Sequence, residues 1–447
     1  MSGISRRTFA KTTIAAAVAT AASSQRVFGA NERVRVGFIG LGNRGDQVLS
    51  GFLAQQDCEV VALCDLHEPY REYAAGRIGT RPEQFTDYRK LLDRNDIDAV
   101  VVATPDHWHA LQMIHACQAG KDVYVEKPAS LYVNEGRAMV KAARENHRIA
   151  QVGIQRLSSE HCRVAAELIR DGAIGKVTVV RCFHVQNEWP KGIGNPPDEE
   201  PPQDFDWDAW TGPARKRKYN KNRTFYRFRW FSDFSGGQLT NMGVHYLAQI
   251  HRSLGVDAPL AVMAMGGKFA NFDNRDIPDT MEVVWHYPSD TLVMFTQINA
   301  NGASPSGQPC EIEFRGTKGT MYFSTHGFEI VPDKLAPNEF AVRSPIGRHL
   351  EKWRVGEAPV IEPQKAAGVV RDADHARTFL DSVKTRQLPP CDIEYGHRCT
   401  SAALIANIAH RTKSFLEWDA STERFTNNES ANQWLRSQYR KPYELPE

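Results

Sequence analysis

Over the first third of the chain, short apolar runs alternate with segments in which apolar residues recur at helical spacing. The apolar runs are residues 34–39, 59–65, 97–103, 122–125 and 149–154. Continuous runs of this length are typical of parallel strands that are buried on both faces of a sheet. Helical spacing at 110–118 and 131–146 separates the later runs. This alternation predicts a doubly wound α/β domain over residues 33–154.

The pattern changes after residue 154, where the strands become longer and apolar positions alternate with polar ones. The predicted strands are residues 177–187, 281–286, 291–298, 311–315 and 320–324. Such alternation favours an open, mainly antiparallel sheet with one covered face. A helix at 160–171 precedes this sheet, so residues 155–365 are predicted to form a second α/β domain. Helical spacing returns at 374–384 and 395–413, and residues 366–447 are predicted to pack back on the core as helices and a tail.

Residues 189–230 interrupt the second domain with a stretch that is rich in proline, tryptophan and charge. A structureless insertion of this length is more often functional than idle. Its basic run at 214–223 prompts the idea of a nucleic-acid site. However, acidic residues flank that run and the whole chain has a net charge of only +2. A solvated loop is therefore the preferred interpretation, and no nucleic-acid partner is expected.

Composition places the chain among ordinary globular proteins, with 24% charged and 41% apolar residues. The eight cysteines are scattered without a C-x-x-C pair, so neither a zinc site nor a disulfide framework is predicted.

The first thirty residues resemble an export signal. Arg6 and Arg7 precede a short, alanine-rich segment at 12–22, as in a twin-arginine signal, and this segment is too short to span a membrane. The sequence is compatible with cleavage after Ala21 and with cleavage after Gly29. The alternative interpretation of these residues is a disordered N-terminal tail. A periplasmic location is expected. Since free nicotinamide nucleotide is lacking there, an exported hydride enzyme would have to keep its cofactor and restore it in each cycle, or pass electrons onward.

A glycine-rich turn follows the first strand with the spacing of a dinucleotide-binding fingerprint. Gly40 permits the tight turn, Gly42 lets backbone N–H groups approach a pyrophosphate, and Gly45 allows close packing of helix on strand. Asn43 and Arg44 then stand at the helix N-terminus, where N–H groups attract phosphate. A plain glycine turn is the alternative for the motif alone.

The second apolar run ends in Asp65, twenty positions after Gly45. A carboxylate at this position is expected to bind the adenosine ribose hydroxyls. It would repel a 2′-phosphate, and only Arg71 lies close by on its C-terminal side. NAD is therefore predicted in preference to NADP.

The segment after the run at 97–103 is predicted to be a loop at residues 104–109. Ligands of parallel sheets bind beyond the carboxyl ends of the strands. Thr104, Pro105, His107 and His109 are therefore candidates to border the nicotinamide ribose. Packing roles for the histidines are the alternative.

Lys127 follows the fifth strand directly, so its amine is expected over the same carboxyl edge. A lysine here can hold a substrate hydroxyl and accept its proton. Glu126 and Lys127 are also candidates to contact the cofactor. A surface lysine paired with Glu126 is the alternative. A cis bond before Pro128 is one conformation that the turn allows.

A second candidate constellation lies at residues 235–245, which read as a glycine turn leading into a helix. Asn241 and His245 are four apart and should share a helix face. A histidine accepts protons near neutral pH, although a lone helical histidine is more often a core residue.

Possible substrate contacts remain at the junction of the domains and in the insertion. Gln155 and Arg156 stand at the junction, within reach of a substrate in this reading. Four aromatic residues of the insertion are open to two interpretations, stacking on sugar faces or, for 226–230, a half-buried strand. These residues are Trp189, Tyr226, Phe228 and Trp230.

Taken in order and spacing, the fingerprint, the Glu-Lys-Pro tripeptide and the Gly-Gly-x-x-x-Asn-x-x-x-His segment resemble the glucose–fructose oxidoreductase / inositol dehydrogenase family. The phrases at 169–175, 208–213 and 394–400 are also similar to family members. The resemblance implies a Rossmann domain followed by an α/β domain whose open sheet makes homo-oligomer contacts. It further implies that Lys127 is catalytic, with His245 as base or relay. Family members usually carry an aspartate where this chain has Asn241, which cannot take a proton but can still orient a hydroxyl.

The expected function is therefore that of an exported oxidoreductase that retains NAD and acts on a sugar, polyol or sugar derivative. One alternative is an NAD-dependent glycosidase that oxidises its substrate transiently, eliminates the substituent and returns the hydride. A non-catalytic sugar-binding relative is the second alternative, and the presence of Lys127 and His245 argues against it.

Overall fold

The computed structural model describes residues 33–334 and 359–446 of the 447-residue chain. The first part of it is a six-stranded parallel sheet with the order β3-β2-β1-β4-β5-β6. Its strands are β1 Val34–Ile39, β2 Cys58–Cys64, β3 Glu83–Phe85, β4 Ala99–Val102, β5 Asp122–Glu126 and β6 Ala150–Gly153. Strands β4, β5 and β6 are buried along their whole length. The predicted doubly wound sheet is thus confirmed, and only the short edge strand β3 was missed.

Five helices connect these strands in the described chain. They are α1 Asn43–Leu53, α2 Glu68–Arg77, α3 Tyr88–Leu92, α4 Asp106–Gln118 and α5 Val133–Glu145. Helix α4 begins at Asp106, so the prediction of a loop over residues 104–109 is wrong for its last four positions. Pro105 stands at the N-cap with φ −61°, a conformation that prepares a helix start. The polar first turn Asp-His-Trp-His carries no apolar period that would have revealed it.

The second sheet contains ten strands within the described residues, in the order β14-β13-β12-β11-β7-β10-β9-β8-β15-β16. Its central members are β7 Val177–Val185, β8 Ala261–Gly267, β9 Thr280–Tyr287, β10 Thr291–Ile298, β11 Ile312–Gly316 and β12 Gly319–Ser324. Only β7 and β10 pair in parallel among them. The outer members are β13 Gly327–Pro332, β14 Gln364–Ala367, β15 Leu416–Asp419 and β16 Arg424–Phe425. The expectation of a large, mainly antiparallel sheet is confirmed.

Helices cover one face of this sheet. They are α6 Glu160–Arg170, α8 Val244–Leu254 and α10 Ile393–Thr412. The remaining helices of this part of the described chain are α7 Trp207–Thr211, α9 Asp372–Thr385 and α11 Glu429–Asn432. Trp285 of β9 is fully buried beneath α10 and donates its indole N–H to the carbonyl of Ala402 at 2.9 Å. The opposite face leaves Met263, Met265 and Leu292 exposed.

The insertion at 189–230, hereafter the cap, is not structureless. It contains α7 and two short 3₁₀ helices, and it has an apolar cluster of its own built around Trp207, Trp210, Trp230 and Phe234. Residues Phe225–Trp230 form a 3₁₀ helix, so the interpretation of 226–230 as a strand is wrong. Five residues of alternating pattern are too few to distinguish the two structures without knowing what they pack against.

Residues 33–334 and 359–446 contain no membrane-spanning helix, no metal-binding cluster and no disulfide. None of the helices there is long and apolar enough to cross a membrane. No group of three or more His, Cys, Asp or Glu side chains is arranged there to hold a metal ion. All eight cysteines are free thiols. The predicted export signal at residues 1–30 lies outside the described residues.

Candidate active site

A cavity of about 640 Å³ lies at the carboxyl edge of the parallel sheet. Its wall combines the turns after β1, β2, β4 and β5 with residues of the cap and of the C-terminal segment 436–446, hereafter the tail. A volume of this size is in the range of small-molecule and cofactor sites.

The glycine turn forms one end of the wall, and two of its glycines have no room for a side chain. Gly40 has φ +92°, and a Cβ there would stand 2.6 Å from the backbone of Ala103. A Cβ on Gly45 would stand 2.2 Å from the carbonyl oxygen of Gly40. Gly42 is the N-cap of α1 and makes no side-chain capping bond. The first N–H groups of the helix, at Asn43 and Arg44, are therefore free to bind an anion.

Asp65 follows β2 and borders the same cavity. Its Oδ2 accepts the backbone N–H of Leu41 at 2.7 Å, and its Oδ1 accepts that of His67 at 2.8 Å. Burial raises the pKa of Asp65, and these two hydrogen bonds oppose that shift. Arg71 donates to the backbone carbonyl of Asp65 at 2.6 Å. The carboxylate is thus fixed in place, with a lone pair on each oxygen left for a further donor.

Arg44 and Glu126 form an ion pair in the wall. Arg44 Nε donates to Glu126 Oε1 at 2.9 Å, and its Nη2 donates to Asp372 Oδ1 at 2.8 Å. Two carboxylates hold the pKa of Arg44 above its usual range despite burial. Glu126 is therefore the partner of Arg44 and not of the Lys127 amine, so the alternative of a surface lysine paired with Glu126 is wrong.

Lys127 projects from the end of β5 into the cavity, where its Nζ donates to Asn241 Oδ1 at 2.7 Å. The Asn241 amide is oriented in turn by its Nδ2, which donates to Gln238 Oε1 at 2.8 Å. Burial lowers the pKa of Lys127 to about 8, and the positive charge of Arg229 contributes to this shift. The Lys127–Pro128 bond is cis. Near pH 8 this amine can therefore both donate and accept a proton.

His245 follows Asn241 by four residues in the chain, but it is not part of the described cavity wall. Asn241 belongs to a π-helical turn, Leu239–Gly243, which precedes α8 and changes the helical spacing between the two residues. The imidazole is buried, and its Nδ1 has no hydrogen-bond partner in the described chain. Burial and the charge of Arg156 hold the pKa of His245 well below its usual range, so the ring is neutral at pH 7.

Asp106 is a cavity residue that the sequence analysis missed. It is the first residue of α4, and its Oδ2 accepts the hydroxyl of Ser235 at 2.5 Å. Burial raises its pKa, while His109, Ser235 and Lys127 oppose that shift. The position-based argument that singled out His107 and His109 after β4 applies equally to Asp106, so the signal was present.

The four candidates after β4 have different surroundings. Thr104 and Pro105 line the cavity, whereas the two histidines do not belong to the described wall. His107 Nε2 lies 3.0 Å from the carbonyl of Trp210 in the cap. His109 Nδ1 lies 2.7 Å from the carbonyl of Pro128, and its Nε2 lies 2.8 Å from that of Thr104. His109 thus ties the turn after β4 to the turn that carries Lys127, and both rings have the contacts of packing residues.

The predicted substrate residues at the domain junction also have other contacts. Arg156 is buried and forms a double ion pair with Glu311, at 2.8 and 3.1 Å. Gln155 lies in a short 3₁₀ helix, and its Oε1 is buried without a partner in the described residues. The cavity wall as described includes neither residue.

The cap contributes the remaining wall. Tyr226 and Phe228 line the cavity, whereas Trp189 is exposed and Trp230 is buried in the cap's own cluster. At the Asp65 end, Phe225 packs its ring against His67 and Tyr70, at centroid distances of 5.2 and 5.9 Å. The cap therefore spans the cavity from the Asp65 end to the Lys127 end.

The tail fastens the cap to the nucleotide domain. Arg440 donates its backbone N–H to Pro213 at 3.0 Å and its Nε to Gly212 at 2.6 Å. Tyr439 donates its hydroxyl to Glu135 at 2.7 Å. Tyr443, which lines the cavity, packs edge-on against Trp108 at 5.5 Å.

Comparisons with known proteins give two matches to models of one family. Residues 34–154 match the Gfo/Idh/MocA oxidoreductase model for an NAD-binding Rossmann fold. Residues 164–266 and 337–445 match its C-terminal alpha/beta domain.

Curated relatives match over shorter stretches. Glycosyl hydrolase family 109 protein 1 of Shewanella sp. (strain ANA-3) is 32% identical over 154 residues, which is 33% of this chain and 34% of that protein. The alpha-N-acetylgalactosaminidase of Shewanella oneidensis is 39% identical over 112 residues, 23% of this chain and 24% of that protein. The chain thus spans about a third or less of the length of the curated relatives it matches.

Among solved structures, levoglucosan dehydrogenase in complex with NADH and levoglucosan aligns with a TM-score of 0.62 and 17% identity. The alignment covers 86% of this chain and 99% of that chain. At this identity the likeness shows the fold.

Proposed function

The chain belongs to the Gfo/Idh/MocA oxidoreductase family, and from this premise we propose that it is an NAD-dependent oxidoreductase of a sugar or polyol hydroxyl. The observation that carries the proposal is Lys127. Its amine lies in a cavity that begins at a dinucleotide-binding turn, and burial holds its pKa at about 8.

The residues at the Asp65 end fit the cofactor. A side chain on Gly40 or Gly45 would collide with backbone, while the uncapped start of α1 offers N–H groups to a pyrophosphate. The fixed carboxylate of Asp65 supports NAD over NADP because it would accept ribose hydroxyls and repel a 2′-phosphate. When bound, the nicotinamide ring would supply the acceptor for the substrate's carbon-bound hydrogen.

The remaining chemistry is proton transfer, for which Lys127 Nζ is the proposed base. Because its pKa is about 8, about half of this amine is neutral at pH 8. Asn241 Oδ1 accepts one N–H of the amine and so directs its other positions. The neutral His245 is proposed to hold or relay the proton behind Asn241, although the described wall does not include it.

Tight retention of the cofactor is a further part of the proposal. The cap closes the cavity over both ends, and the tail fastens the cap through Arg440 and Tyr439. A dinucleotide held in this way would leave only when the cap opens. This property suits the predicted twin-arginine export, and we propose that the mature protein works in the periplasm. Export is tested by fractionation of cells that express the chain with Arg6 and Arg7 replaced by lysine.

A second candidate is an NAD-dependent glycosidase, which is favoured by the relatives named as a glycosyl hydrolase family 109 protein and an alpha-N-acetylgalactosaminidase. In this reaction Lys127 would take the hydroxyl proton and later return it. No external electron acceptor is then needed. The short span of those matches keeps this candidate second.

The proposed oligomer contact is the outer face of the ten-stranded sheet. Met263, Met265 and Leu292 are exposed there, and such residues mark interaction surfaces when they lie together. Size-exclusion chromatography with light scattering tests this, with Met265→Lys as the disrupting variant.

The deciding experiment uses protein purified without added nucleotide. Its absorbance spectrum is recorded, and free sugars and aryl glycosides are then added while absorbance is followed at the NADH wavelength. Stable reduction by a free sugar identifies an oxidoreductase, whereas cleavage of an aryl glycoside without lasting NADH identifies a glycosidase. Lys127→Met should keep its nucleotide and lose activity by a factor of about 10² to 10⁴. The exposed Lys176→Met is the matched control, and normal turnover by Lys127→Met would refute the assignment.

A further inference from the structure

Three arginines line the cavity, and one of them lacks an ion pair in the described residues. Arg44 is held by Glu126 and Asp372, and Arg89 is held by Asp87. The side chain of Arg229, in the 3₁₀ helix Phe225–Trp230 of the cap, makes no hydrogen bond or ion pair within residues 33–334 and 359–446. Its guanidinium lies over the ring of Tyr226, 3.8 Å from the centroid. Its Nε is buried without a hydrogen-bond partner there.

The acidic groups nearest to Arg229 are already engaged with other residues. Glu188 forms an ion pair with Arg275 at 2.9 Å, and Asp106 accepts the hydroxyl of Ser235. Burial lowers the pKa of Arg229, and the weaker opposing contributions of Tyr226, Asp106 and Glu188 do not reverse the shift. A partly desolvated cation with an unsatisfied buried donor is unfavourable unless a ligand supplies the missing partner.

Arg229 belongs to the Lys127 end of the cavity. Its charge interacts with Lys127 and Asp106, both of which stand at the turns that follow β4 and β5. The pyrophosphate-binding features instead lie at the turn after β1. Arg229 therefore faces the place where a substrate, rather than the phosphates of a dinucleotide, would lie beside Lys127.

Resting on the proposed function, we propose that Arg229 binds a carboxylate of the substrate, which is therefore a sugar acid such as a uronic acid or its glycoside. The planar guanidinium fork matches a carboxylate in a bidentate manner. One unpaired guanidinium neutralises one negative charge, whereas a phosphate monoester carries nearly two. A neutral sugar would leave the guanidinium charge without a counter-charge. Lys127 stays free for proton transfer.

The test uses matched pairs of probes on the NAD-containing protein: D-glucuronate against D-glucose, and D-galacturonate against D-galactose, with glucose 6-phosphate as a third arm. Binding is measured by calorimetry and by the shift in melting temperature. Hydride transfer is followed separately as NADH absorbance. Arg229→Gln and Arg229→Lys are compared with the wild type. Arg227→Gln is the control because it removes an exposed arginine of the same 3₁₀ helix.

At least one uronate should bind on the order of a hundredfold more tightly than its neutral partner, as expected for a charged hydrogen-bonded pair. Arg229→Gln should abolish this preference for the uronate, while the amount of NAD bound per chain is unchanged. Arg229→Lys should restore part of the preference, and Arg227→Gln should leave the preference unaltered. Equal binding of acid and neutral sugar, a preference for the phosphate, or loss of NAD from Arg229→Gln would each overturn the inference. Uronate binding that depends on Arg229 but produces neither NADH nor glycoside cleavage would refute the proposed function instead. Reduction of NAD by neutral sugars alone would support the proposed function and refute the inference about Arg229.

Discussion

Restoring the carboxylate at position 241 tests the proposed role of Lys127 most directly. In Asn241→Asp a negative charge replaces the amide oxygen that lies 2.7 Å from Lys127 Nζ. Two unit charges about 4 Å apart attract each other by roughly 4 kcal/mol at an effective dielectric of 20, equivalent to roughly three pH units. The cost of burying the new carboxylate offsets part of this attraction. A rise of the Lys127 pKa by about 1 to 3 units, from about 8, is therefore expected.

The sign follows from the state in which the base works. Lys127 must be neutral to accept a hydroxyl proton, so kcat/KM should rise with pH and level off above the pKa of the amine. In the wild type the midpoint is expected near pH 8. In Asn241→Asp it should move to alkaline pH, and the rate at pH 7 should fall between about 10-fold and 1000-fold while the plateau is kept. Gln238, which now accepts from Asn241 Nδ2, can turn its own amide to donate to the aspartate.

The assay is the pH dependence of substrate-driven NADH formation, or of glycoside cleavage if that is the reaction found. Asn301→Asp is the control because it adds the same charge at an exposed site outside the described wall, where Asn301 Oδ1 accepts the N–H of Ala303. An unchanged midpoint would show that Lys127 is not the titrating base. A midpoint displaced to acidic pH would show that the new carboxylate has taken over as base.

Three further predictions concern stability and cofactor retention. Lys127→Met should stabilise the fold at pH 7 by at most about 3 kcal/mol, because the folded-state pKa of about 8 lies below the unfolded value of 10.5. Between pH 8 and 10.5 the native state binds fewer protons than the unfolded state, so the free energy of unfolding of the wild type, measured in urea, should rise and approach that of the variant. A difference in unfolding free energy between the two proteins that stayed constant over this range would contradict the prediction. Gly45→Ala should lose bound NAD and about 1–3 kcal/mol of stability, since its Cβ would meet the Gly40 carbonyl. Its control, Gly76→Ala on the exposed face of α2, has open space and should gain about 0.5–1 kcal/mol. Deletion of residues 436–447 should speed loss of NAD during dialysis by at least about tenfold, since the cap loses its hydrogen bonds with Arg440 and the nucleotide domain loses Tyr439 and Tyr443. Unchanged retention would assign the tail another role.

The sequence was most informative where a residue's position along a strand decides its surroundings. Continuous apolar runs located the buried strands, and Gly40 and Gly45 stand where no Cβ fits. The placement of Lys127 at the carboxyl edge was predicted from its position directly after β5, whereas its catalytic role came from the family resemblance. In each of these cases the local chain carries the signal because the parallel sheet brings the carboxyl ends of its strands to one edge.

The sequence was least informative where contacts between distant segments decide the structure. The pairing of Glu126 with Arg44 links residues 82 positions apart, and nothing in the Glu-Lys-Pro tripeptide indicates it. Arg156 was predicted to contact the substrate, but Glu311, 155 positions away in the chain, binds both of its terminal nitrogens. The 3₁₀ helix Phe225–Trp230 of the cap likewise depends on what it packs against, and the alternating pattern of its residues did not indicate a helix.

The proposed cofactor retention and the proposed activation of Lys127 depend on the same cap. The lysine's lowered pKa arises from burial first and from neighbouring positive charges, Arg229 among them, and Arg229 belongs to the cap. A cap that opened to release nucleotide would admit water to the amine and remove that charge, so the pKa of Lys127 would move back toward its ordinary value. In this proposal Lys127 acts as a base only while the cap is closed. Conditions that loosen the cap should therefore reduce turnover before they empty the site, and a carboxylate that bridges to Arg229 would both neutralise the cap's charge and hold the cap down over the reacting hydroxyl.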